Sequence, residues 1–282
     1  MKRNKTIIII TILVIVAIVT ITIIPKYGNF LGINSEDKKN ISLPTNPNAN
    51  PFQNNGTKPL PDDVNQHPEN KTIYDIPKEI VMYDDFSNGP YHLVPGTVSP
   101  NGKWVGMWNG GGSLEVKQDH FDDNNFLLVV ESGFVLNETR SGLILTTGEF
   151  KDFVLSLDVR NDKQLREPIP NSWEVGWIFW RYVDNTHFNY FTLKPTGSES
   201  GKYDGGVNPT DQLFIQATEF PNTSIGKWDH IDIIVKGNHV VIAVNGILAQ
   251  EFDDITSFDK GKIGFYCEDA SVSFDNISIT PI

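Results

Sequence analysis

The chain has 282 residues, with 35 acidic and 23 basic side chains and a formal net charge of −12 at pH 7. This charge argues against a nucleic-acid partner, because a protein that binds a duplex needs a basic face to neutralise the phosphates. The single cysteine, Cys267, excludes an intramolecular disulfide framework and any cysteine-rich metal site.

The N-terminal residues predict a membrane anchor. Residues 7–24 carry no charge, and such a run of about 18 mostly apolar residues is near the minimum that crosses a hydrocarbon core as a helix. Lys2, Arg3 and Lys5 precede the run, so the positive-inside rule places the rest of the chain outside the cell. A cleaved signal peptide is the alternative, but the run ends without small residues at a cleavage site. We therefore predict a signal-anchor over residues 1–26 and a location at the cell surface.

Residues 27–76 are rich in asparagine and proline and contain few large apolar side chains. Such a segment cannot bury enough surface to offset the entropy of ordering, so we predict a flexible linker, followed by a folded domain at 77–282. Asn-x-Ser/Thr sequons, which accept N-glycans and also arise by chance in asparagine-rich sequence, occur in both parts. They lie at Asn40, Asn55, Asn70, Asn137, Asn222 and Asn276.

The sequence pattern of the domain predicts short strands separated by turns. Runs rich in Val, Ile, Phe, Tyr and Trp alternate apolar and polar residues, which is typical of half-buried strands, and no helix of useful length is indicated. Turn signals such as Gly237-Asn238 separate the runs and predict a hairpin there. We predict an all-β fold, a two-sheet antiparallel jelly-roll sandwich. The predicted strands are 153–160, 174–182, 187–194, 212–218, 230–236, 239–246, 262–268 and 272–279.

Three of these strands each predict an apolar core face and an opposite face that mixes charges with large aromatic rings. In the strand at 174–182, we assign Trp173, Val175, Trp177 and Phe179 to the core. Exposed aromatic rings beside hydrogen-bonding groups suit sugars, whose C–H faces stack on indole or phenol. The predicted ligand face contains Asp158, Arg160, Glu174, Trp180, Tyr182, Tyr190 and Lys194.

Two points about this face stay open. Trp180 and Tyr182 can alternatively be covered by loops and extend the core. The segment 194–204 is predicted as a polar loop at the rim of the aromatic face, to which it adds Glu199 and Lys202. A nucleotide site is rejected there, because the spacing departs from that of a phosphate-binding loop and no helix follows.

Sequence motifs do not identify a reaction. Neither a G-x-S-x-G elbow nor an H-E-x-x-H zinc motif occurs, and the histidines are scattered. Glu174 is the best candidate for an acid or base, and with Asp158 or Glu199 it can form the pair of carboxylates that a glycosidase needs, about 5–9 Å apart. A lyase would instead need a base together with cations that neutralise the substrate. The candidates for that role are Arg140, Arg160, Tyr190 and Lys194.

Carboxylates near the two ends of the domain predict a calcium site. Asp84 and Asp85 open the domain and Asp275 nearly closes it, and the first and last strands of a jelly roll are adjacent. Calcium binds oxygen ligands of this kind, so we expect a structural Ca²⁺ held by these residues. The alternative is that they are ordinary turn carboxylates.

Several segments resemble the concanavalin A-like lectin/glucanase jelly rolls, in particular the 3-keto-disaccharide hydrolase-like and laminarinase-type domains. They are YDDFSNG, WNGGGSLEV, NSWEVGWIFWRYVDNTHFNYFTLKP, GKWDHIDIIVKGNHVVIAVNG and GKIGFYCEDASVSFDNISI. The resemblance covers roughly residues 82–282. It implies a concave sheet that presents a sugar site lined by Glu174, Trp180, Tyr190 and Lys194. It also implies a structural calcium on the convex side, for which Asp275 is the best match.

One departure from the laminarinase pattern bears on function. The E-x-D-x-x-E signature is missing, since the strand from Glu174 reads EVGWIFW, and this argues against retaining glucanase chemistry. Our first hypothesis is a membrane-anchored, extracellular protein that binds polysaccharide or glycan on its concave face. The alternatives are an exported hydrolase or lyase and a structural protein of the cell envelope.

Overall fold

This computed structural model of the protein describes residues 81–205, 211–254 and 258–282. The predicted anchor and linker, with the sequons at Asn40, Asn55 and Asn70, lie outside these residues. Across the described part of the chain, the structure has no helix long and apolar enough to cross a membrane.

The described residues form sixteen strands and no α-helix. In chain order the strands are β1 (Met82–Asp84), β2 (Tyr91–His92), β3 (Trp104–Trp108), β4 (Ser113–Gln118), β5 (Phe126–Glu131), β6 (Ser141–Thr146), β7 (Phe153–Gln164), β8 (Gly176–Asp184), β9 (His187–Lys194), β10 (Gly197–Asp204), β11 (Gln212–Thr218), β12 (Trp228–Lys236), β13 (His239–Val244), β14 (Ile247–Asp253), β15 (Lys262–Glu268) and β16 (Ala270–Pro281).

The strands form two antiparallel sheets. In the described residues, sheet A has nine strands in the order β14-β13-β12-β7-β16-β5-β4-β2, with β1 also paired to β16. Sheet B has seven strands in the order β11-β10-β9-β8-β15-β6-β3. The predicted all-β, two-sheet antiparallel sandwich is therefore confirmed for the described residues.

All eight predicted runs are strands, because their period-two alternation is strong enough to be read locally. The predicted hairpin is also present, since β12 and β13 pair on either side of Gly237-Asn238. The prediction of a loop at 194–204 is wrong. A tight turn after Lys194 leads directly into β10, and Gly197 supports this turn with a φ of 134° that other residues rarely adopt.

The main core lies between the two sheets. Alternate residues of sheet A, such as Leu155 and Leu157 of β7, face alternate residues of sheet B, such as Phe265 of β15. Apolar side chains from twelve of the described strands converge there. Burial of this apolar area is the dominant stabilising contribution to such a sandwich.

Trp180 belongs to this core, so its assignment to the ligand face is wrong. The side chain is 0% exposed and lies among the inter-sheet residues together with Ile178. Trp177 and Phe179, which we assigned to the core, lie instead on the outer face of sheet B. Both faces of β8 carry large apolar side chains, so alternation alone does not show which face lies inside.

Tyr182 lies on the outer face although Trp180 points inward. The register between β8 and β9 shifts after Trp180, and Arg181 has a φ of 49°. A bulge of this kind moves the following side chains to the opposite face. Tyr182 stacks against Phe179, with ring centroids 6.3 Å apart.

Gly201 makes room for Tyr190 on the same face. A Cβ atom at Gly201 would lie 2.4 Å from the Tyr190 hydroxyl and 2.6 Å from the carbonyl oxygen of Leu213. We expect Gly201→Ala to lower the free energy of unfolding by about 1–3 kcal/mol, because the ring must move. Denaturant unfolding would measure the loss. Gly148→Ala is the control, since its Cβ would meet no atom closer than 3.7 Å, and an equal loss there would contradict the prediction.

Candidate functional site

The outer face of sheet B carries a continuous layer of aromatic side chains, which we call the aromatic layer. It consists of Trp177, Phe179, Tyr182, Phe188, Tyr190, Tyr203 and Tyr266. Neighbouring rings are close: the centroids of Phe179 and Phe188 are 4.4 Å apart, and those of Trp177 and Tyr190 are 4.7 Å apart. The rings pack against one another, and these contacts keep the layer ordered.

Strand register places these rings side by side. Tyr266 of β15 lies opposite Trp177 of β8, which in turn lies opposite Thr192 of β9. Phe179 lies opposite Tyr190 in the same way. Side chains opposite each other on antiparallel strands are the closest neighbours in a sheet, so the layer follows directly from the pairing.

A group of charged side chains lies at one end of the aromatic layer, and we call it the carboxylate cluster. It consists of Glu174, Glu268, Asp269 and Arg166. The Arg166 guanidinium bonds to the Glu174 carboxylate through Nε and to Asp269 through Nη2. Glu174 and Asp269 are fully buried, whereas Arg166 and Glu268 are partly exposed. The cluster therefore joins a buried ion pair to a carboxyl group that solvent or a ligand can reach.

Glu268 has the most unusual proton affinity in this cluster. Burial raises the pKa of its carboxyl from 4.5 to about 7, and the negative charges of Asp269 and Glu174 act in the same direction. A hydrogen bond from the Tyr266 hydroxyl, 3.3 Å away, and the charge of Arg166 oppose the shift. A carboxyl with this pKa holds and releases a proton near neutral pH, as a general acid or base must.

Both carboxylate oxygens of Glu174, the best candidate for catalysis from the sequence, accept hydrogen bonds from neighbouring groups. Its Oε1 accepts from Arg166 Nε and from Asn171 Nδ2 at 2.7 Å, and its Oε2 accepts the Asn171 backbone N–H at 2.9 Å. With 0% of the side chain exposed, its role is to hold Arg166 and the 166–174 loop in place.

Exposed aromatic and apolar side chains surround the carboxylate cluster. Trp173, which we assigned to the core, is 46% exposed, and its carbonyl oxygen accepts a hydrogen bond from Trp177 Nε1 at 2.9 Å. Ile169 is exposed on the same loop, and Phe134 is exposed on the loop that Arg166 reaches through Thr139. Rings and apolar groups at the edge of a charged site offer a surface on which a sugar ring stacks.

A second polar group on this face brings three of the predicted ligand-face residues together. The Tyr190 hydroxyl donates to Glu199 Oε1 at 3.0 Å, Lys194 Nζ donates to the other oxygen of Glu199, and Gln212 Nε2 donates to the Tyr190 hydroxyl at 2.6 Å. Burial raises the pKa of Tyr190 far above its usual value, so the hydroxyl keeps its proton. Tyr190, Lys194 and Glu199 thus lie together on the outer face of sheet B, and their role as ligand-binding residues stays a prediction.

Glu174 and Glu199 do not form a carboxylate pair across one bond. Glu199 of β10 lies opposite Thr192 of β9, which lies opposite Trp177 of β8. Two strand spacings alone come to about 10 Å, and Glu174 is displaced further along the chain before β8. The separation exceeds the about 5–9.5 Å that glycosidase chemistry requires.

Asp158 and Arg160 lie on a different surface from the rest of the predicted face. Both are on β7 of sheet A, and their side chains point away from the core, opposite to Leu157. Asp158 hydrogen-bonds to His230 at 2.7 Å and to Asn276 at 2.9 Å. The prediction that they share a face with Glu174 is wrong, because both faces of the sandwich present similar mixtures of charge and aromatic rings.

Lys202 also points away from the predicted face. Strand alternation directs it into the space between the sheets, where its Nζ donates to Asp254 at 2.8 Å. Its neighbour on the outer face is Tyr203 of the aromatic layer. Lys202 and Glu199 therefore lie on opposite faces of β10, although a loop at 194–204 would have allowed both on one face.

Of the three predicted calcium ligands, Asp85 and Asp275 lie on the same side of the sheet, whereas Asp84 points to the other side. Asp84 is buried, and its carboxylate accepts hydrogen bonds from Trp104 Nε1 at 2.6 Å and from Asn101 at 2.9 Å. Asp85 and Asp275 lie on the opposite side, where burial raises the pKa of Asp275 and the charge of Asp85 adds to the shift. In the described residues no group of three or more metal-ligating side chains is found. Asp84 does not fit the predicted set, and calcium stays a prediction.

The sequons inside the domain lie at the surface. Asn137, Asn222 and Asn276 are all exposed. Asn276 donates its amide to Asp158, so a glycan there would displace that hydrogen bond. N-glycosylation at these positions stays a prediction.

Apart from Glu174, the residues of the carboxylate cluster were not predicted from the sequence. Glu268 and Tyr266 lie two residues apart in KIGFYCE, so alternation places them on one face, opposite Phe265. The alternation of β15 therefore predicts Glu268 as a neighbour of Tyr266 on the outer face. Asp269 and Arg166 lie in turns, where no periodicity identifies a partner 103 residues away.

The raised pKa of Glu268 predicts a specific dependence of stability on pH. A carboxyl whose pKa is higher in the folded state stabilises the fold below about pH 4.5, and this contribution is lost as the pH rises to about 7. Glu268→Gln does not titrate, so we expect it to gain up to roughly 3 kcal/mol relative to the unchanged protein between pH 4 and pH 8. Denaturant unfolding at the two pH values would measure this. A difference that does not change with pH would contradict it.

A family model, the 3-keto-alpha-glucoside-1,2-lyase-like domain, matches residues 97–280, well over half of the chain. The match includes the aromatic layer and the carboxylate cluster, and it confirms the resemblance predicted from the sequence motifs. No curated protein matches the chain significantly.

Solved structures of carbohydrate-related jelly rolls are similar to the chain. The carbohydrate-binding module CBM66 of Bacillus subtilis aligns with 14% identity and a TM-score of 0.47, over 66% of this chain and 98% of that one. The Bacillus licheniformis β-glucanase aligns with 12% identity and a TM-score of 0.44, over 69% and 99%. A Bacteroides ovatus mixed-linkage glucan GH16 protein in complex with a product aligns with 11% identity and a TM-score of 0.47, over 71% and 100%.

Proposed function

The chain belongs to the 3-keto-alpha-glucoside-1,2-lyase-like domain family, and from this we propose that it binds a 3-keto-α-glucoside on the outer face of sheet B and cleaves it by elimination. The observation that carries the proposal is Glu268, a partly exposed carboxyl with a pKa of about 7 beside the aromatic layer. A base with that pKa is suited to removing a carbon-bound proton near neutral pH.

The reaction balances without an oxidant or added water. In a 3-keto-glucoside the C2 hydrogen lies next to the ketone carbon, so the base removes it as a proton and the electron pair delocalises onto the ketone oxygen. That pair then forms the C1–C2 double bond, and the C1–O bond breaks with its electrons. The departing oxygen takes up a proton, and the products are an unsaturated keto sugar and an alcohol.

The side chains of the site supply the parts of this scheme. Glu268 removes the C2 proton, and the Tyr266 hydroxyl beside it holds the carboxylate in orientation at 3.3 Å. Glu174 and Asp269 position Arg166, whose partly exposed guanidinium stabilises negative charge that develops on the ketone oxygen. Trp173 at the edge of the site provides a stacking surface for the sugar ring.

Methyl 3-keto-α-glucoside tests the proposal directly. We expect the protein to convert it to methanol and an unsaturated keto sugar, followed by mass spectrometry and by the absorbance of the new double bond. Methyl α-glucoside, which lacks the ketone, is the matched control and should not react, because its C2 proton is not acidic. Cleavage of both compounds with incorporation of water would overturn the elimination.

Glycan binding without chemistry is the second candidate function. The Tyr190–Glu199–Lys194 group favours it, because its donors and acceptors lie on the outer face far from Glu268 and need no reaction to explain them. Retention of the protein on a glycan that it does not cleave, lost in Lys194→Ala, would support this candidate.

The anchor and the location are part of the same proposal. The uncharged run at 7–24 after three basic residues supports an uncleaved anchor, and the asparagine- and proline-rich 27–76 segment supports a tether that holds the domain outside the cell. Protease added to intact cells should then remove the domain and leave a membrane-bound N-terminal fragment. Protection of the domain from the protease would contradict this.

A further inference from the structure

A cavity of about 330 Å³ opens on the outer face of sheet A, on the opposite side of the sandwich from the carboxylate cluster. Strands β5, β7 and β16 form its floor. Residues of the β4–β5 connection and Gly226, before β12, form its walls. We call it the Arg160 cavity, after the charged side chain at its floor.

Arg160 is held rigidly in this cavity. Its side chain is 6% exposed, its Nε donates to Asp162, and its Nη2 donates to Asp119 at 3.3 Å. The guanidinium lies over the rings of Trp228, 4.6 Å from the centroid, and Phe121, 5.2 Å from the centroid. Two ion pairs and two ring faces therefore fix its orientation before any ligand arrives, which lowers the entropy cost of binding.

Arg160 retains hydrogen-bonding capacity. Its Nε and Nη2 atoms account for the bonds to Asp162, Asp119 and Ser273. Among the described residues, Nη1 donates to no protein acceptor. It is available to a group that enters the cavity.

The cavity lining is mixed in chemistry and balanced in charge. Leu127 and Val129 of β5 point away from the core, yet both are buried, so the cavity has an apolar floor. The charges of Arg160 and Lys117 balance those of Asp119 and Asp162, with His120 as the one further titratable side chain in the lining. A balanced site selects neither an anion nor a cation.

Phe121 stands at the entrance and is 79% exposed. Its ring is in contact with the Arg160 guanidinium and adds an apolar surface beside this buried charge. Its ring face can stack on the C–H face of a sugar while Arg160, Asp119 and Ser271 form hydrogen bonds with the sugar hydroxyls. The volume is at the lower end of the about 300–1,000 Å³ range of small-molecule sites, which fits one or two sugar rings.

We propose that the Arg160 cavity is a second carbohydrate site that binds a neutral monosaccharide unit, such as the end of a glycan chain. The site is independent of the elimination proposed for sheet B. A protein with sites on both outer faces can hold one glycan while it acts on another.

The test uses the full chain and ligand-observed NMR with glucose, galactose, mannose and fructose, and with glucuronate as an anionic comparison. We expect at least one neutral sugar to bind. Phe121→Ala, a surface change that spares the fold, should weaken that binding about tenfold. Arg160→Lys should weaken it at least as much, because a lysine cannot reproduce the planar, stacked fork.

Matched variants separate this site from the one on sheet B. Glu268→Gln should leave the NMR-detected binding unchanged, and Phe121→Ala should leave turnover of methyl 3-keto-α-glucoside unchanged. The proposal is overturned if no neutral sugar binds, if glucuronate binds better than every neutral sugar, or if Phe121→Ala has no effect. Failure of the elimination assay alone would not affect it.

Discussion

Glu268→Gln should lower the kcat for cleavage of methyl 3-keto-α-glucoside by about 10²–10⁴-fold, the usual contribution of a general base. The amide keeps the size and the hydrogen bond of the carboxyl but cannot accept the C2 proton. In the unchanged protein, the base acts only when deprotonated, so the rate should rise with pH and reach half its limit near the pKa of Glu268, about 7. Initial rates across pH 5–9 would measure both effects.

Glu251→Gln is the matched control for this experiment. Glu251 is an exposed carboxyl of β14 in sheet A, where it pairs with His239, whereas Glu268 lies on β15 of sheet B. Its replacement should leave the rate within about twofold, since exposed ion pairs contribute little. If Glu268→Gln were as active as this control, Glu268 would not be the base.

Arg166→Ala should lower the free energy of unfolding by about 3–5 kcal/mol at pH 7, because it leaves the buried carboxylates of Glu174 and Asp269 without their cation. Arg166→Lys restores one charge without the forked geometry, so we expect it to recover only part of the loss. The loss should shrink at acidic pH, because burial raises the pKa of the Asp269 carboxyl above its usual value and the group is then more readily protonated. Denaturant unfolding at pH 4 and pH 7 would measure these differences.

Arg140→Ala provides the comparison for Arg166. Arg140 lies in the same region, and its backbone N–H, which the substitution keeps, donates to Asp269. Its side chain pairs with Glu138 at the surface, where an ion pair contributes less than about 1 kcal/mol. Equal losses for the two variants would show that the Arg166 ion pairs do not stabilise the fold.

The strands could be predicted from the sequence because their signal is local. In β7, Leu155 and Leu157 alternate with polar residues. This alternation alone predicts a strand with one buried face. The β12–β13 hairpin follows in the same way from two alternating runs and the Gly237-Asn238 turn. Strand β10 was missed because GSESGKYD carries no apolar alternation, and its buried serines became evident only from its pairing with β9.

The faces of β8 could not be predicted from the sequence. Trp177 and Phe179 on one side and Ile178 and Trp180 on the other are all apolar, so alternation divides them into two sets without identifying the inner one. Trp180 was placed with the ligand face for this reason. Which set faces the opposite sheet depends on the pairing of β8 with β15, and that is a long-range property.

Period-two alternation is encoded within each strand, so the amino-acid pattern alone predicts that the described domain is an antiparallel β sandwich. The same pattern predicts that aromatic residues occupy both faces of several strands. The same alternation placed Tyr190 and Lys194 on one face of β9, whereas the position of Glu199 on that face follows only from the pairing of β10 with β9. The ion pair between Arg166 and Asp269 is evident only from the tertiary structure. The same holds for the position of Arg160 on the opposite sheet from Glu268. The pairing of distant strands brings these groups together or keeps them apart. This pairing depends on burial summed over the whole sandwich and not on any local pattern.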